Sequence, residues 1–145
     1  MTKPIYVLNG PNLNRLGRRQ PEIYGRTTLA EIEELCKRTL PDQPIVFRQS
    51  NREYEIIEWV QEAVDEGVGI IINPAGFSFT SVAIMDALKM FEGPIIELHI
   101  SNIHKREAIY HKSLVSPVAT AVIAGLGARG YALALQAMAD LIEAS

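Results

Sequence analysis

Cysteine is almost missing from this chain: Cys36 stands alone among 145 residues, so no internal disulfide can form and a disulfide-stapled scaffold is excluded. The three histidines have no cysteine beside them and form no His-x-x-x-His pair, so no metal-ligand cluster is legible and structural zinc is excluded. Basic residues are not in excess either. Lys and Arg number 14 against 17 acidic residues, for a net charge of −3, whereas a nucleic-acid partner rewards a clustered basic face. No run approaches the roughly 18 consecutive apolar residues of a membrane-spanning helix. The opening Met1-Thr2-Lys3-Pro4 leads into a short apolar run without a signal-peptide cleavage pattern, so the expectation is a cytoplasmic protein with neither membrane nor nucleic-acid partner.

What is present is an ordinary globular composition, 48% apolar and 21% charged, over a length that predicts one domain spanning residues 1–145. Short β-branched runs recur at Ile5-Tyr6-Val7-Leu8, Ile45-Val46-Phe47, Gly69-Ile70-Ile71-Ile72, Ile95-Ile96-Glu97-Leu98 and Ala121-Val122-Ile123-Ala124. Each is followed by a segment of helical period, the pattern of βα units around a parallel sheet. Thr28 with Glu31 and Ser50 with Glu53 have capping-box spacing and predict helix starts at both places. Leu29, Ile32, Leu35, Cys36 and Leu40 form the apolar face of the first helix; Ile56, Ile57, Val60, Ala63 and Val64 form that of the second. A third helix is predicted from about Thr80 to Phe91 and a last one from about Arg129 to Glu143. The last is apolar nearly all round, which suits either a subunit contact or deep burial.

Five such units predict an open doubly wound sheet in the order 2-1-3-4-5, with a crevice at the strand carboxyl ends where the order reverses. Asn9 and Asn12 follow the first strand, Asn73 the third, and His99 with Ser101 the fourth, so these polar groups converge there. Glu97 lies two residues before His99 on the same strand face, where a carboxylate can orient the imidazole and make it a general acid. Residues 9–27 and roughly 100–116 are long connections for so short a chain, and long ordered connections carry function. The first holds Arg15 and then, between Gly17 and Gly25, Arg18, Arg19 and Tyr24, which suits a hinged lid. A phenol of ordinary pKa about 10 must lose about 3 units, or about 4 kcal/mol, to act as a base near neutral pH; cations in a water-poor site supply energy of that order.

Gly125-Leu126-Gly127-Ala128-Arg129-Gly130 spells a dinucleotide fingerprint, but that site needs a further strand ending in an acidic residue roughly 20 positions on. Only residues 131–145 remain, all used by the last helix, so the run is read as close packing of strand and helix. The acidic residues of a phosphoacceptor domain and the hydroxyl-rich loop of a flavodoxin are also missing from the strand ends.

Leu8-Asn9-Gly10-Pro11-Asn12-Leu13-Asn14 with Leu16-Gly17, Arg19, Pro21 and Tyr24-Gly25 resembles the opening of type II 3-dehydroquinate dehydratases. The likeness continues through Asn73-Pro74, Thr80-Ser81-Val82-Ala83 with Asp86-Ala87-Leu88, Glu97-Leu98-His99-Ile100-Ser101-Asn102 with His104, Arg106 and Glu107, and Ser116-Pro117 to Gly125-Leu126-Gly127 and Gly130-Tyr131. It covers nearly the whole chain. The resemblance implies a flavodoxin-like subunit of a homo-dodecamer, a tetramer of trimers, that needs neither metal nor organic cofactor. It implies anti elimination of water from 3-dehydroquinate, a cyclic keto acid, to 3-dehydroshikimate through an enolate, in aromatic biosynthesis or quinate breakdown. By the same resemblance Tyr24 is the base, Arg19 holds it as phenolate, and Asn12 positions a water at the enolate oxygen. His99, oriented by Glu97, protonates the departing hydroxyl. Asn73 and the backbone at Ile100-Ser101 hold the substrate, and Asp86 reaches a neighbouring subunit's site.

Ser78-Phe79-Thr80-Ser81 stands where the family commonly has Thr-His-Thr-Ser, and Tyr110 stands where an arginine usually contacts ring hydroxyls, with His111 and Lys112 close by. Gln20 replaces a lid glutamate, and Met85 a frequent arginine before Asp86. These departures leave two alternatives to the family reaction: a paralogous dehydratase of the same mechanism acting on a less hydroxylated 3-keto carboxylate, or a non-catalytic binding protein on the same scaffold.

Overall fold

A computed structural model describes residues 2–144. Five parallel strands, β1 (Ile5–Asn9), β2 (Ile45–Gln49), β3 (Gly69–Asn73), β4 (Ile95–His99) and β5 (Ala121–Ala124), form one sheet in the order β2-β1-β3-β4-β5. The α/β architecture and the order expected from the βα pattern are both found. Alternation along the strands divides the core in two. Ile5, Val7, Ile71, Ile96 and Leu98 face one layer with Ile32 and Cys36 of α2 (Leu29–Thr39) and Leu135 and Met138 of α5 (Arg129–Ala144). Tyr6, Leu8, Ile70 and Ile72 face the other, with Ile56 and Val60 of α3 (Glu53–Glu66) and Ile84 and Leu88 of α4 (Val82–Leu88). Burying each such aliphatic side chain stabilises by about 1.5–3 kcal/mol.

The capping box at Thr28 forms as expected: its Oγ1 accepts from the Glu31 N–H at 3.2 Å, and Glu31 reaches back to the Thr28 N–H at 3.0 Å. The second box does not form. Ser50 Oγ instead accepts from the Arg52 N–H at 2.9 Å, a local turn that delays α3 until Glu53. The third helix is shorter than its pattern, because Ser81 caps it by accepting from the Ile84 N–H at 2.9 Å. Residues 75–79, just before it, turn as a 3₁₀ segment. Val64, expected in the core, is 38% exposed at the end of α3.

The two long connections are ordered by short elements. Residues 9–27 contain a 3₁₀ turn, Leu13–Arg15, and the single-turn helix α1 (Pro21–Tyr24); the second contains 3₁₀ turns at Ile103–Lys105 and Ala108–Tyr110. The loops after β1 and β3 touch at Gly10, where an added Cβ would lie 2.4 Å from the Pro74 carbonyl oxygen; only glycine permits that approach. No helix among the described residues is long and apolar enough to cross a membrane.

Candidate active site

At the order reversal, the ends of β1, β3 and β4 open on a cavity of about 180 Å³. Of the sequence-predicted residues, Asn12, Arg19, Tyr24, Asn73, Phe79, His99, Ile100, Ser101 and Tyr110 line it. Glu97 lies behind His99, and Asp86 does not face this cavity. Asp86 is exposed on α4, 3.7 Å from the Lys89 ammonium. His111 and Lys112, next to Tyr110 in the sequence, do not line the cavity either. The reason is local: the His111 ring folds back onto the Arg106 carbonyl at 2.5 Å.

One wall is rigid and buried. Glu97 is fully buried and His99 is 4% exposed, with His99 Nε2 2.5 Å from Glu97 Oε2. The other carboxylate oxygen accepts from Ser116 Oγ at 2.5 Å. Burial pushes the Glu97 carboxyl up, but hydrogen bonds from His99, Ser116 and Ser113 outweigh it and hold the group below the usual carboxylate value. With Nε2 committed to Glu97, Nδ1 is left as the nitrogen available to a ligand.

The opposite wall is a turn carrying a phenol and cations. Tyr24 ends α1, which Pro21 starts and Gly25, at φ 80°, stops. The Arg19 guanidinium lies 4.6 Å from the centre of the Tyr24 ring. A second guanidinium, Arg106, lies 5.6 Å from that ring and 4.1 Å from the Tyr110 ring. Neither arginine has a carboxylate partner among the described residues, so both positive charges are open to the cavity.

Between these walls, Asn12 sits at φ 72°, a left-handed conformation that asparagine tolerates. Its N–H donates to Asn51 Oδ1 at 2.9 Å, which ties the first connection to the start of α3. Gly125 and Gly127 donate to the His99 and Ile100 carbonyls at 3.3 and 3.1 Å, fixing the peptide at 100–101. Phe79 and Tyr110 meet edge to face at 5.3 Å, and Phe79 stacks on the His99 ring at 6.3 Å. The arrangement can therefore remove a proton at one wall, deliver one at the other, and hold an anion between them.

The profile of the family described as Dehydroquinase class II matches residues 3–139. The chain belongs to that family. Among relatives of this dehydroquinase-family chain, "3-dehydroquinate dehydratase 2" of Agrobacterium fabrum is 55% identical over 96% of each chain. "3-dehydroquinate dehydratase" of Streptomyces avermitilis is 54% identical over 97% of this chain and 90% of its own. The crystal structure of type II dehydroquinase from Propionibacterium acnes superposes with a TM-score of 0.92 at 44% identity, over 97% of this chain and 98% of that one.

Sequence reasoning about this family member missed three residues. Ser113 and Ser116 act on Glu97 across 16 and 19 positions, which no local pattern reveals. Arg106 was visible within the family motif but carried no periodicity. A cation four residues before Tyr110 in a long connection was the available signal.

Proposed function

We propose that this chain dehydrates 3-dehydroquinate to 3-dehydroshikimate, a hydro-lyase reaction passing through an enolate. The observation that carries the reading is that Tyr24, flanked by a guanidinium at 4.6 Å, and His99, bound to a buried carboxylate, open into one small cavity. Tyr24 takes the proton beside the ketone, and the electron pair moves onto the ketone oxygen. A water held by Asn12 donates to that oxygen, the preorganised stabilisation that lowers such a barrier most. The enolate then collapses, the carbon–oxygen bond to the tertiary hydroxyl breaks, and His99 supplies the proton that lets it leave as water. Arg19 and Arg106 meet negative charge on the phenol oxygen, while Glu97 counters positive charge on the imidazole. Asn73 and the backbone at Ile100-Ser101 hold the substrate. The test is turnover of 3-dehydroquinate followed by enone absorbance. Tyr24→Phe and His99→Ala are each expected to lower kcat by about 10²–10⁴-fold, and full activity in Tyr24→Phe overturns the base assignment.

Phe79 and Tyr110 favour a second reading. They line the cavity with aromatic surface, and a site without partners for buried hydroxyls discriminates poorly in favour of a hydroxylated ligand. On this reading the elimination is the same but the substrate is a 3-keto carboxylate with fewer hydroxyls. Comparing kcat/KM for 3-dehydroquinate with that for 1-hydroxy-3-oxocyclohexane-1-carboxylate separates the two. A preference for the latter, reversed by Phe79→His with Tyr110→Arg, supports the second.

The family resemblance further supports a cytoplasmic homo-dodecamer in which Asp86, exposed on α4, reaches a neighbouring copy's cavity. Sedimentation of the 16.1 kDa chain as a dodecamer is the expected outcome, and a monomer that turns over at full rate overturns it.

A further inference from the structure

At the carboxyl ends of β1 and β3, three buried side chains form a hydrogen-bonded line whose direction is set at both ends. Asn9 Nδ2 donates to the Arg48 carbonyl at 3.0 Å. That oxygen only accepts, so Asn9 Oδ1 faces the other way and takes the Tyr131 hydroxyl proton at 2.7 Å. Having given its one proton to Asn9, the Tyr131 oxygen accepts from Asn73 Nδ2 at 3.0 Å. From the far end the Ala75 N–H, which only donates, meets Asn73 Oδ1 at 3.3 Å. Both ends thus demand the same orientation of the Asn73 carboxamide. It spends its oxygen and one hydrogen inside the protein and keeps one N–H.

The surroundings make this line obligatory. Asn9, Asn73 and Tyr131 are at most 3% exposed, so an unmade bond here would leave a buried polar atom without a partner. Burial raises the Tyr131 hydroxyl above its ordinary pKa, outweighing the Asn73 hydrogen bond that lowers it, so the group stays a protonated donor. Asn9 and Asn73 are partners in the β1–β3 register, and Tyr131 reaches them from the first turn of α5. The turn packs closely on β4 at Gly130, where an added Cβ would lie 3.0 Å from Leu98 Cδ1.

We propose that Tyr131 is a positioning residue that fixes the polarity of Asn73, so that the cavity offers a ligand an N–H at this point and never an oxygen. The group seated on Asn73 is accordingly a hydrogen-bond acceptor, a carboxylate, carbonyl or hydroxyl oxygen. This deepens the reading of Asn73 as a substrate-holding residue and rests on it.

Tyr131→Phe removes the acceptor of the Asn73 N–H and leaves the carboxamide held only by the 3.3 Å contact from the Ala75 N–H, and is expected to raise KM roughly tenfold with kcat within about twofold and an unchanged pH profile. Asn9→Leu removes the acceptor of the Tyr131 proton, lets that hydroxyl donate to Asn73 instead, and is expected to raise KM in the same way. Phe47→Leu loosens packing on the Tyr131 ring, 6.4 Å away, without touching the line; it is expected to lower Tm and leave KM alone. In ¹⁵N-labelled protein, one slowly exchanging Asn73 side-chain proton is expected to lose protection in Tyr131→Phe. Folded Tyr131→Phe and Asn9→Leu proteins with wild-type KM overturn the proposal, as does an equal KM rise in Phe47→Leu. If Tyr131→Phe does not fold, Asn9→Leu carries the same test. Absence of turnover in the wild type overturns the proposed reaction instead, and the Asn73 exchange signature then decides the polarity by itself.

Discussion

The two walls of the cavity are built in opposite ways. His99 sits on a central strand, 4% exposed, against a fully buried carboxylate that also binds serine hydroxyls. Tyr24 sits at the end of a four-residue helix on the surface side, half-buried, with guanidinium groups over its ring. The proposed acid is thus part of the folded core, whereas the base belongs to a turn laid over it. The difference predicts that damage to the acid wall costs both stability and activity, and damage to the base wall costs activity alone.

Glu97→Ala is the largest break. It leaves His99, Ser113 and Ser116 without their acceptor, and is expected to cost about 3–5 kcal/mol in urea unfolding, since removing one partner of a buried pair strands the other. Arg19→Ala is its counterpart. Unfolding free energy should change by less than about 0.5 kcal/mol while kcat falls more than about tenfold. Equal stability losses in the two variants would erase the contrast between the walls.

Acid titration sharpens it. Glu97 is held below its usual value of 4.5 in the folded protein, so its contribution is fully present above that value and is lost as pH falls through the folded pKa. Stability should therefore drop on the acid side of about pH 4.5, and Glu97→Gln should flatten that arm.

The smallest effect concerns the core beneath the turn. Cys36 packs in the same cluster as Leu13 and Leu16, with Tyr24 against it, and burial pushes its thiol up to about 12. Alkylation of native protein at neutral pH should be negligible and become rapid only on unfolding. Rapid native labelling would show that the core under the base opens by itself.

Much of this contrast was legible in the residues. Alternating βα units and the strand-end positions of Asn12, Asn73, Glu97 and His99 followed from periodicity and topology, because period-2 burial and the order reversal leave few placements. Arg19 and Tyr24 were marked by composition between two glycines. Arg106 was not, because its aim depends on the non-local folding of the second connection, including a histidine ring that seats on its own carbonyl. The unformed box at Ser50 shows the limit from the other side. A hydroxyl at the right spacing found a nearer N–H in Arg52, and local competition of that kind is invisible to a spacing rule.

Gly10 has a further consequence. With no room for even a methyl group between it and Pro74, the loops that present Asn12 and Asn73 are held in direct contact, and any side chain at position 10 would force them apart. Any redesign of what this cavity accepts therefore begins at positions 79 and 110, which lie outside the strands and meet each other, the His99 ring and the Arg106 guanidinium.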